Sequence, residues 1–480
     1  MTAHRFLSRP VLRGLRAVAF ASVFANGAWA QVATPTAAPP TSAAPAPAPT
    51  EPGRMGLAEL FRQARPQEAR LQAAEAAWRA GQEQVPQALS QLRPQVTLTA
   101  ARLKNDLEST NPGFLGPVTS RDRYMSENQT LTLRQPLYRP AQWAALKAAR
   151  HGEQAARAQL EAEFPAFGAK VGSAYFEVVL AEGQVRFAGE LVKALELQLA
   201  AARRSFEAGA GTRTDIDEVQ AQLDSALADQ VEAVQARASA AQQLQVLLGG
   251  RSAQLEPVRL RPEAVWGKAD EPLAAWQARA RQASAEIRML QAQADAARED
   301  IAKAEAGHKP TLDLLLQRSR SGSENVTRID SRFDNTSFGL QLNVPIYSGG
   351  AVSSQVRQAV AEAERANHLL QVARDELDSR VRQEHRGVIE SLARLRALEQ
   401  AVASASTALR SAERSFDAGV RSRVDIALAA QRLARQQREL LQASNNVLLS
   451  RLRLELLTAG DEPQVEAAMR WMDQAVRLER

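Results

Sequence analysis

Two nearly identical stretches of sequence lie 210 residues apart and constrain the fold more than any other feature. The first, RRSFEAGAGTRTDI, runs from Arg203 to Ile216, and the second, ERSFDAGVRSRVDI, runs from Glu413 to Ile426. The match continues on both sides in the same order: residues 93–98 parallel 309–314, residues 131–140 parallel 340–349, and residues 247–250 parallel 457–460. The chain is therefore predicted to be a tandem duplication of one large unit.

Each unit contains two segments in which apolar and polar residues alternate. This period of two is typical of strands with one apolar and one polar face. A polar loop joins the two strands of each unit, near residues 105–126 and 322–334. The apolar positions are Val96 and Leu98; Leu131, Leu133 and Leu137; Leu312, Leu314 and Leu316; and Phe338, Leu340, Leu342, Val344 and Ile346.

Each unit also contains a very long helical segment. Residues 141–207 and 351–417 hold few helix breakers, and helices of that length would each be ~100 Å long. A second helix follows each glycine-containing turn. In the second unit Ile426, Leu433, Leu440, Val447 and Leu454 recur every seven residues, which indicates a coiled-coil seam. Leu195, Leu199, Ala202 and Phe206 follow helical spacing in the first unit. Two antiparallel helical hairpins are expected.

The repeated stretch would form the tips of these hairpins. Gly209 and Gly419 suit a helix C′ position with positive φ. Thr212 and Ser422 are candidate N-caps of the returning helices. Asp215 and Asp425 then fall in the first helical turn, where the helix dipole favours an acid. These residues are equally well explained as parts of the turn alone.

The N-terminus predicts export from the cytoplasm. Four arginines precede the short apolar run AVAFASVFA, and Ala28 and Ala30 occupy the small-residue positions of a cleavage site. Residues 1–30 are therefore interpreted as a signal peptide cut after Ala30, with an uncleaved anchor helix as the alternative. Residues 31–54 are a Pro/Ala-rich leader that is expected to be disordered.

Composition excludes several classes of function. The chain has no cysteine and five scattered histidines, so no metal site and no cofactor are expected. Without residues 1–30 the chain carries 56 basic and 54 acidic residues, which gives little reason to expect nucleic acid as a partner. No catalytic triad, phosphate loop or dinucleotide motif is present, so an enzyme is not expected.

Four amphipathic strands cannot close a barrel on their own, because open strand edges are not tolerated in lipid. The strands must form a soluble sheet or share a barrel with other copies. Three copies would provide 12 strands and 12 helical segments around one axis, which exceeds the eight or so strands that the smallest outer-membrane barrels use.

At this point the sequence resembles the TolC-like outer-membrane efflux proteins over nearly all of residues 55–460. The resemblance rests on the duplicated order of strands and helices, on QPLY and VPIY where strand passes into helix, and on FEAGAGTRTDI and FDAGVRSRVDI at the tips. It implies an α+β membrane protein in which tandem-duplicated long α-helical hairpins form a tunnel. Four β-strands per protomer would contribute to a trimeric 12-stranded outer-membrane β-barrel.

The resemblance also divides the chain into repeats and smaller segments. It implies a first repeat at 55–250, a second at 273–460, and equatorial segments at 251–272 and 461–480, the last as a short helix. A homotrimer would sit in outer-membrane lipid and reach through the periplasm. There it would meet a periplasmic adaptor protein and an inner-membrane ABC transporter or other pump.

The resemblance assigns roles to residues at the tips. Asp425 matches one position of an acidic ring at the periplasmic constriction, whereas Leu428 occupies the position of a second acid, so a single ring is expected. Mutual repulsion within that ring is expected to raise some of the pKa values. Arg421 and Asp215 match members of a latch between neighbouring hairpins. Phe416 stands where that latch has an aromatic hydroxyl, so this part of the latch must be weaker or made differently.

The junctions between strand and helix contain matched residues. Pro136 and Pro345 fit the bend, because proline removes a donor from the strand ladder. Tyr138 and Tyr347 are interpreted as packing at the junction, with membrane-interface anchors as the alternative.

The predicted function is that of an outer-membrane exit channel, most simply for type I secretion of a protein toxin, because no cysteine is available for a lipid anchor. Efflux of small molecules is the alternative. A periplasmic adaptor would show one hairpin within split β-domains, and a coiled-coil scaffold would not need two matched strand pairs.

Overall fold

The computed structural model describes residues 55–114, 116–209, 211–255, 271–323 and 331–476. The predicted signal peptide (1–30) and leader (31–54) lie outside the described residues. Most of segment 251–272 and the last four residues of segment 461–480 lie outside them as well.

The described chain repeats one order of elements, so the predicted tandem duplication is confirmed. The first repeat contains α1 (Leu57–Ala64), α2 (Ala69–Ser90), β1 (Gln95–Gly113), β2 (Gly116–Tyr138), α3 (Pro140–Glu207) and α4 (Arg213–Leu247). The second contains α5 (Leu273–Ala283), α6 (Ala285–Glu305), β3 (Thr311–Gly322), β4 (Arg332–Asn343), α7 (Ala351–Asp417) and α8 (Arg423–Leu457). A final helix, α9 (Glu462–Val476), agrees with the short helix expected near the C-terminus.

The long helices have the predicted bounds to within one residue. α3 has 68 residues and α7 has 67, and α3 continues through Pro165. The returning helices α4 and α8 have 35 residues each and pack back on α3 and α7 as antiparallel hairpins. Two shorter helices that the sequence analysis did not identify, α2 and α6, pack on α3, and α6 also packs on α7.

No helix among the described residues has both the length and the apolar content needed to cross a membrane.

The strands form one antiparallel sheet in the order β1-β2-β3-β4. The predicted loop at 105–126 is wrong, because β1 continues to Gly113 and β2 begins at Gly116. Polar cross-strand pairs extend this hairpin: the Ser109 and Ser120 hydroxyls are 3.1 Å apart, and those of Thr110 and Thr119 are 3.0 Å apart. The second predicted loop, 322–334, overlaps the ends of β3 and β4, and residues 324–330 lie outside the described ranges.

The main hydrophobic core joins α1, α3, α8 and α9. Phe61, Phe167, Leu452 and Met469 are among its buried side chains. Asp473 of α9 accepts hydrogen bonds from the backbone N–H groups of Leu57 (2.6 Å) and Ala58 (2.9 Å), so α9 caps the start of α1. The two ends of the described chain are thereby tied into one core.

Candidate functional site at the hairpin tips

Both hairpin tips use a glycine in the left-handed region. Gly209 has φ of 74° and Gly419 has φ of 75°, which places each at the turn after a long helix, as the sequence predicts. The Gly209 N–H donates to the Phe206 carbonyl at 2.9 Å, and the Gly419 N–H donates to the Phe416 carbonyl at 2.8 Å. The two copies of the repeated stretch therefore have the same local backbone.

Each returning helix begins with a capping box, which confirms the predicted N-caps. The Thr212 N–H donates to Asp215 Oδ2 at 3.0 Å, and the Asp215 N–H donates back to Thr212 Oγ1 at 3.2 Å. Ser422 and Asp425 repeat this exchange at 3.0 and 3.3 Å. Both aspartates thus satisfy N–H groups that a helix start would otherwise leave unpaired.

The capping box also sets the acidity of Asp425. The Ser422 backbone N–H and then the Ser422 hydroxyl donate to its carboxylate, and Arg421 adds attraction, so the pKa of Asp425 lies below its ordinary value of 3.8. This direction is opposite to the one expected from repulsion within a ring. Within one chain the carboxylate is held ionised, because the hydrogen bonds favour its charged form.

The candidate latch residues lie at the tips but do not form one cluster. Within the described residues the Asp215 carboxylate is engaged by its own helix start, and no ion pair joins it to Arg421. Arg421 has an exposed side chain. Leu428, which takes the place of a second acid, is 37% exposed.

A different residue, Arg423, links the two hairpins at this point. Its guanidinium carbon lies 4.4 Å from the centre of the Phe416 ring, and its Nη2 donates to Ser205 Oγ of α3 at 3.1 Å. A cation over an aromatic face is attracted by the ring quadrupole. Phe416 therefore offers its ring face to Arg423 of its own hairpin, and its part in a latch stays a prediction. The sequence analysis missed Arg423 and Ser205, because no local pattern reveals a partner 218 positions away.

Packing and one ion pair continue this link along the hairpins. Ala427 of α8 is fully buried in a small apolar cluster that otherwise belongs to α3 and α4, next to Leu195 and Val219. Farther from the tip, Arg438 Nη2 lies 3.2 Å from Asp229 Oδ2, which joins α8 to α4. In the tip half of the molecule the described residues of the two hairpins are therefore joined by a hydrogen bond, apolar packing and an ion pair, in addition to the contact of α3 with α8 in the main core.

The strand-to-helix junctions differ between the repeats. Pro136 lies inside β2 where the register with β3 shifts, whereas Pro345 lies beyond the end of β4. Tyr138 is 47% exposed and Tyr347 is 87% exposed. Within one chain Tyr138 is half-exposed and Tyr347 is largely exposed, and the packing interpretation of both tyrosines stays a prediction for the assembled protein. Their exposure fits rings that lie at a membrane interface.

A buried carboxylate fixes the first junction and was also missed. Asp313 of β3 is 3% exposed and accepts hydrogen bonds from Arg134 Nε at 2.8 Å and Arg139 Nε at 2.9 Å. Arg139 is the residue between β2 and α3. This ion cluster ties two strands to the start of the longest helix.

Comparison with known proteins identifies the family. The family model for outer membrane efflux proteins matches residues 60–250 and 276–460. The chain is 29% identical over 411 residues to the proteases secretion protein PrtF of Dickeya chrysanthemi, which covers 85% of this chain and 88% of PrtF. It is 29% identical over 405 residues to the outer membrane protein TolC of Vibrio cholerae, with coverage of 83% and 89%.

The fold is also that of a solved outer membrane protein. The crystal structure of the outer membrane protein VceC from Vibrio cholerae matches with a TM-score of 0.70 at 19% identity, covering 85% of this chain and 96% of that one. Because the family model matches both repeats and most of the chain, the protein belongs to the outer membrane efflux protein family, which is a family of channels and not of enzymes.

Proposed function

We propose that this protein is the outer-membrane exit channel of a tripartite export system and that it works as a homotrimer. The four-stranded sheet gives the main support for this proposal. Within the described part of the chain its two edges, β1 and β4, have no partner strand, and large apolar side chains are exposed on one face, including Leu98 (71%), Phe338 (83%) and Leu340 (66%). Such a face suits lipid, and such edges need partners there.

Three copies would provide both a partner for each strand edge and lipid contact for each apolar face. Joining β4 of one copy to β1 of the next would pair every edge and turn all apolar faces outward as one 12-stranded barrel. The helical hairpins of the three copies would then line a tunnel that continues from the barrel. After cleavage of residues 1–30, the tunnel would extend into the periplasm, where the tips meet an adaptor protein and an inner-membrane pump.

We propose type I protein secretion as the export route. The relationship to a proteases secretion protein over most of both chains supports it. The absence of cysteine, and therefore of a lipid-anchor site, points the same way. Efflux of small molecules is the second candidate, because the matching family is described as outer membrane efflux proteins.

A deletion strain distinguishes the two routes. Loss of one abundant secreted protein with unchanged drug tolerance supports secretion, and restoration by the plasmid-borne gene is the control. Increased sensitivity to several toxic compounds with an unchanged set of secreted proteins would support efflux.

We further propose that Asp425 forms the ion-selective ring of the closed tip. Three ionised carboxylates around one opening would concentrate cations there. Asp425→Asn tests the charge separately from the cap, because an asparagine oxygen can still accept from the Ser422 N–H. In planar bilayers the parent channel should be cation-selective and blocked by trivalent cations, and Asp425→Asn should weaken both effects.

The matched control for that experiment is Ser422→Ala, which weakens the cap but leaves the carboxylate. It should keep the cation selectivity. If Asp425→Asn left selectivity and block unchanged, Asp425 would be only a helix-start residue.

A further inference from the structure

The face of the sheet that carries the apolar band changes character towards the hairpin ends. In β1, Leu98 pairs with Leu131 and Asp106 pairs with Arg123, so all four lie on one face. In β3 and β4, Leu316 pairs with Phe338 and Arg320 pairs with Asp334 on that same face. The opposite face carries uncharged polar pairs such as Thr97 with Thr132. Charges therefore follow the apolar band on its outward side, away from the helices.

The charges on this face form two matched clusters, one in each strand hairpin. Arg121 binds Asp106 with two hydrogen bonds, from Nε (2.8 Å) and Nη2 (3.0 Å), while Arg123 uses only its Nε (3.2 Å). In the second hairpin Arg318 binds Asp334 through Nε (3.3 Å) and Nη2 (3.1 Å). Arg320 again uses only its Nε, at 2.9 Å.

Each cluster pairs one carboxylate with two guanidinium groups, and Glu108 faces Arg121 beside the first cluster. Counted over the whole face, the first hairpin has four basic and three acidic residues: Arg102, Lys104, Arg121 and Arg123 against Asp106, Glu108 and Glu127. The second has three basic residues and one acidic residue, Arg318, Arg320 and Arg332 against Asp334, so positive charge is in excess in both hairpins. The arginines that bind through Nε alone are also the more exposed members: the Arg123 side chain is 66% exposed and that of Arg320 is 65% exposed. Their terminal nitrogens point to no protein acceptor among the described residues. A guanidinium that is held at one nitrogen and open at two others is suited to bind a phosphate group.

The position of the clusters indicates where that phosphate would be. In β4 the apolar positions Phe338, Leu340 and Leu342 span about 13 Å at the strand rise, and Val344 and Ile346 continue the pattern past the end of the strand. They form the part of this face that would lie in the apolar layer of the membrane. Asp334 lies four residues beyond Phe338 on the side away from the helices. If the tunnel points into the periplasm, both clusters lie on the outer side of the apolar band. Arg320 pairs with Gln129 of β2, whereas Asp106 pairs with Arg123, so the first cluster lies six residues farther out along β2 than the second. The second cluster would lie at the level of the outer-leaflet head groups, and the first would lie beyond it.

We infer that Arg123 and Arg320, positioned by Asp106 and Asp334, bind the phosphate groups of a phosphorylated glycolipid of the outer leaflet. This inference rests on the proposed function for the orientation of the sheet. It adds a lipid-binding site to the outside of the channel, separate from the hairpin tips.

The test is binding of bis-phosphorylated lipid A to the purified, detergent-solubilised protein, measured by native mass spectrometry. The double variant R123Q/R320Q should weaken binding by about tenfold, because it removes a charge-assisted contact at each cluster. R123K/R320K should give an intermediate loss, because lysine keeps the charge but not the forked geometry. The matched control R237Q/R410Q changes the same charge on exposed helix positions and should bind like the parent.

Two further comparisons decide the result. The parent should lose the same affinity when lipid A is replaced by its dephosphorylated form or by phosphatidylglycerol. Equal lipid A binding by the parent and R123Q/R320Q, or equal binding of phosphatidylglycerol and lipid A, would overturn the inference. Channel conductance in planar bilayers is recorded on the same samples. A conducting parent without a lipid A preference refutes only this site, whereas a parent that forms no channel refutes the proposed function.

Discussion

At the scale of single residues, the least expected feature is Arg451, which is fully buried in the main core. Its guanidinium lies between the rings of Trp276 (4.7 Å) and Trp471 (5.2 Å), and its Nη2 donates to Glu455 Oε1 at 2.7 Å. Among the described residues its Nε and Nη1 have no hydrogen-bond acceptor. Burial lowers the pKa of this side chain, while Glu455 opposes that change.

We predict that packing matters more than charge at this position. Arg451→Ala should lower the free energy of unfolding by about 3 kcal/mol, because it leaves a cavity between two tryptophans. Arg451→Met should stay within about 1 kcal/mol of the parent, because it fills the space and removes a charge that is costly to bury. Thermal loss of the helical circular dichroism signal measures both, with the exposed Arg394→Ala as control. Equal loss in both variants would show that the charge itself is required.

The acidity of Asp425 gives a second prediction at this scale. Its pKa is lowered by hydrogen bonds from Ser422, so the stability it contributes is present above the ordinary value of 3.8 and is lost as pH falls through the lower folded value. Cation selectivity should therefore persist from neutral pH to about pH 5, since the carboxylates stay ionised there. Selectivity that fades well above pH 3.8 would show that repulsion in the ring outweighs the caps.

At the scale of elements, the contact between the two hairpins depends on Arg423. We predict that Arg423→Ala loosens the tips, because it removes both the Phe416 contact and the Ser205 hydrogen bond. Backbone hydrogen exchange at both tips should become faster by about tenfold, which corresponds to ~1.4 kcal/mol of local opening. Single-channel openings should also become more frequent.

Arg410→Ala is the matched control for that experiment. Arg410 is exposed on α7, and among the described residues its side chain donates to Thr407 of its own helix at 3.1 Å. It should leave exchange at the tips unchanged. If Arg423→Ala behaved like this control, the contact between the hairpins would lie in Ala427 and its apolar neighbours.

The elements that sequence predicts well are those whose cause is local. The long helices follow from the scarcity of breakers, and the capping boxes follow from Thr212 and Ser422 three residues before an aspartate. The lengths of β1 and β2 were underestimated, because the polar part of this hairpin depends on cross-strand partners such as Ser109 and Ser120. The pattern of residues within one strand cannot predict such a partner on another strand.

The contacts that sequence could not predict are those between distant segments. Arg423 and Ser205, or Asp313 and Arg139, are joined only once the repeats have packed together. The helices α2 and α6 were missed for a related reason: their buried faces are narrow, with two buried residues in α2 and three in α6. Their stability comes from packing on α3, which no local propensity describes.

At the scale of the whole molecule, the account depends on closing the sheet with other copies. Among the described residues of a single chain, the edges of β1 and β4 are unpaired, and side chains such as Leu98 and Phe338 are exposed. In lipid the unpaired edges are not stable, and in water the exposed apolar face is not. Everything proposed for the tunnel, the Asp425 ring and the head-group site follows from assembly around one axis.

The mass of the detergent-solubilised protein, corrected for bound detergent, tests this claim most directly. The account predicts a mass of three chains, near three times the 52.2 kDa of the full sequence less its cleaved signal peptide. Strand and helix content, measured on the same sample, should match the described fold. A stable monomer that keeps its full strand content would contradict the account, because an open four-stranded sheet would then exist without partners.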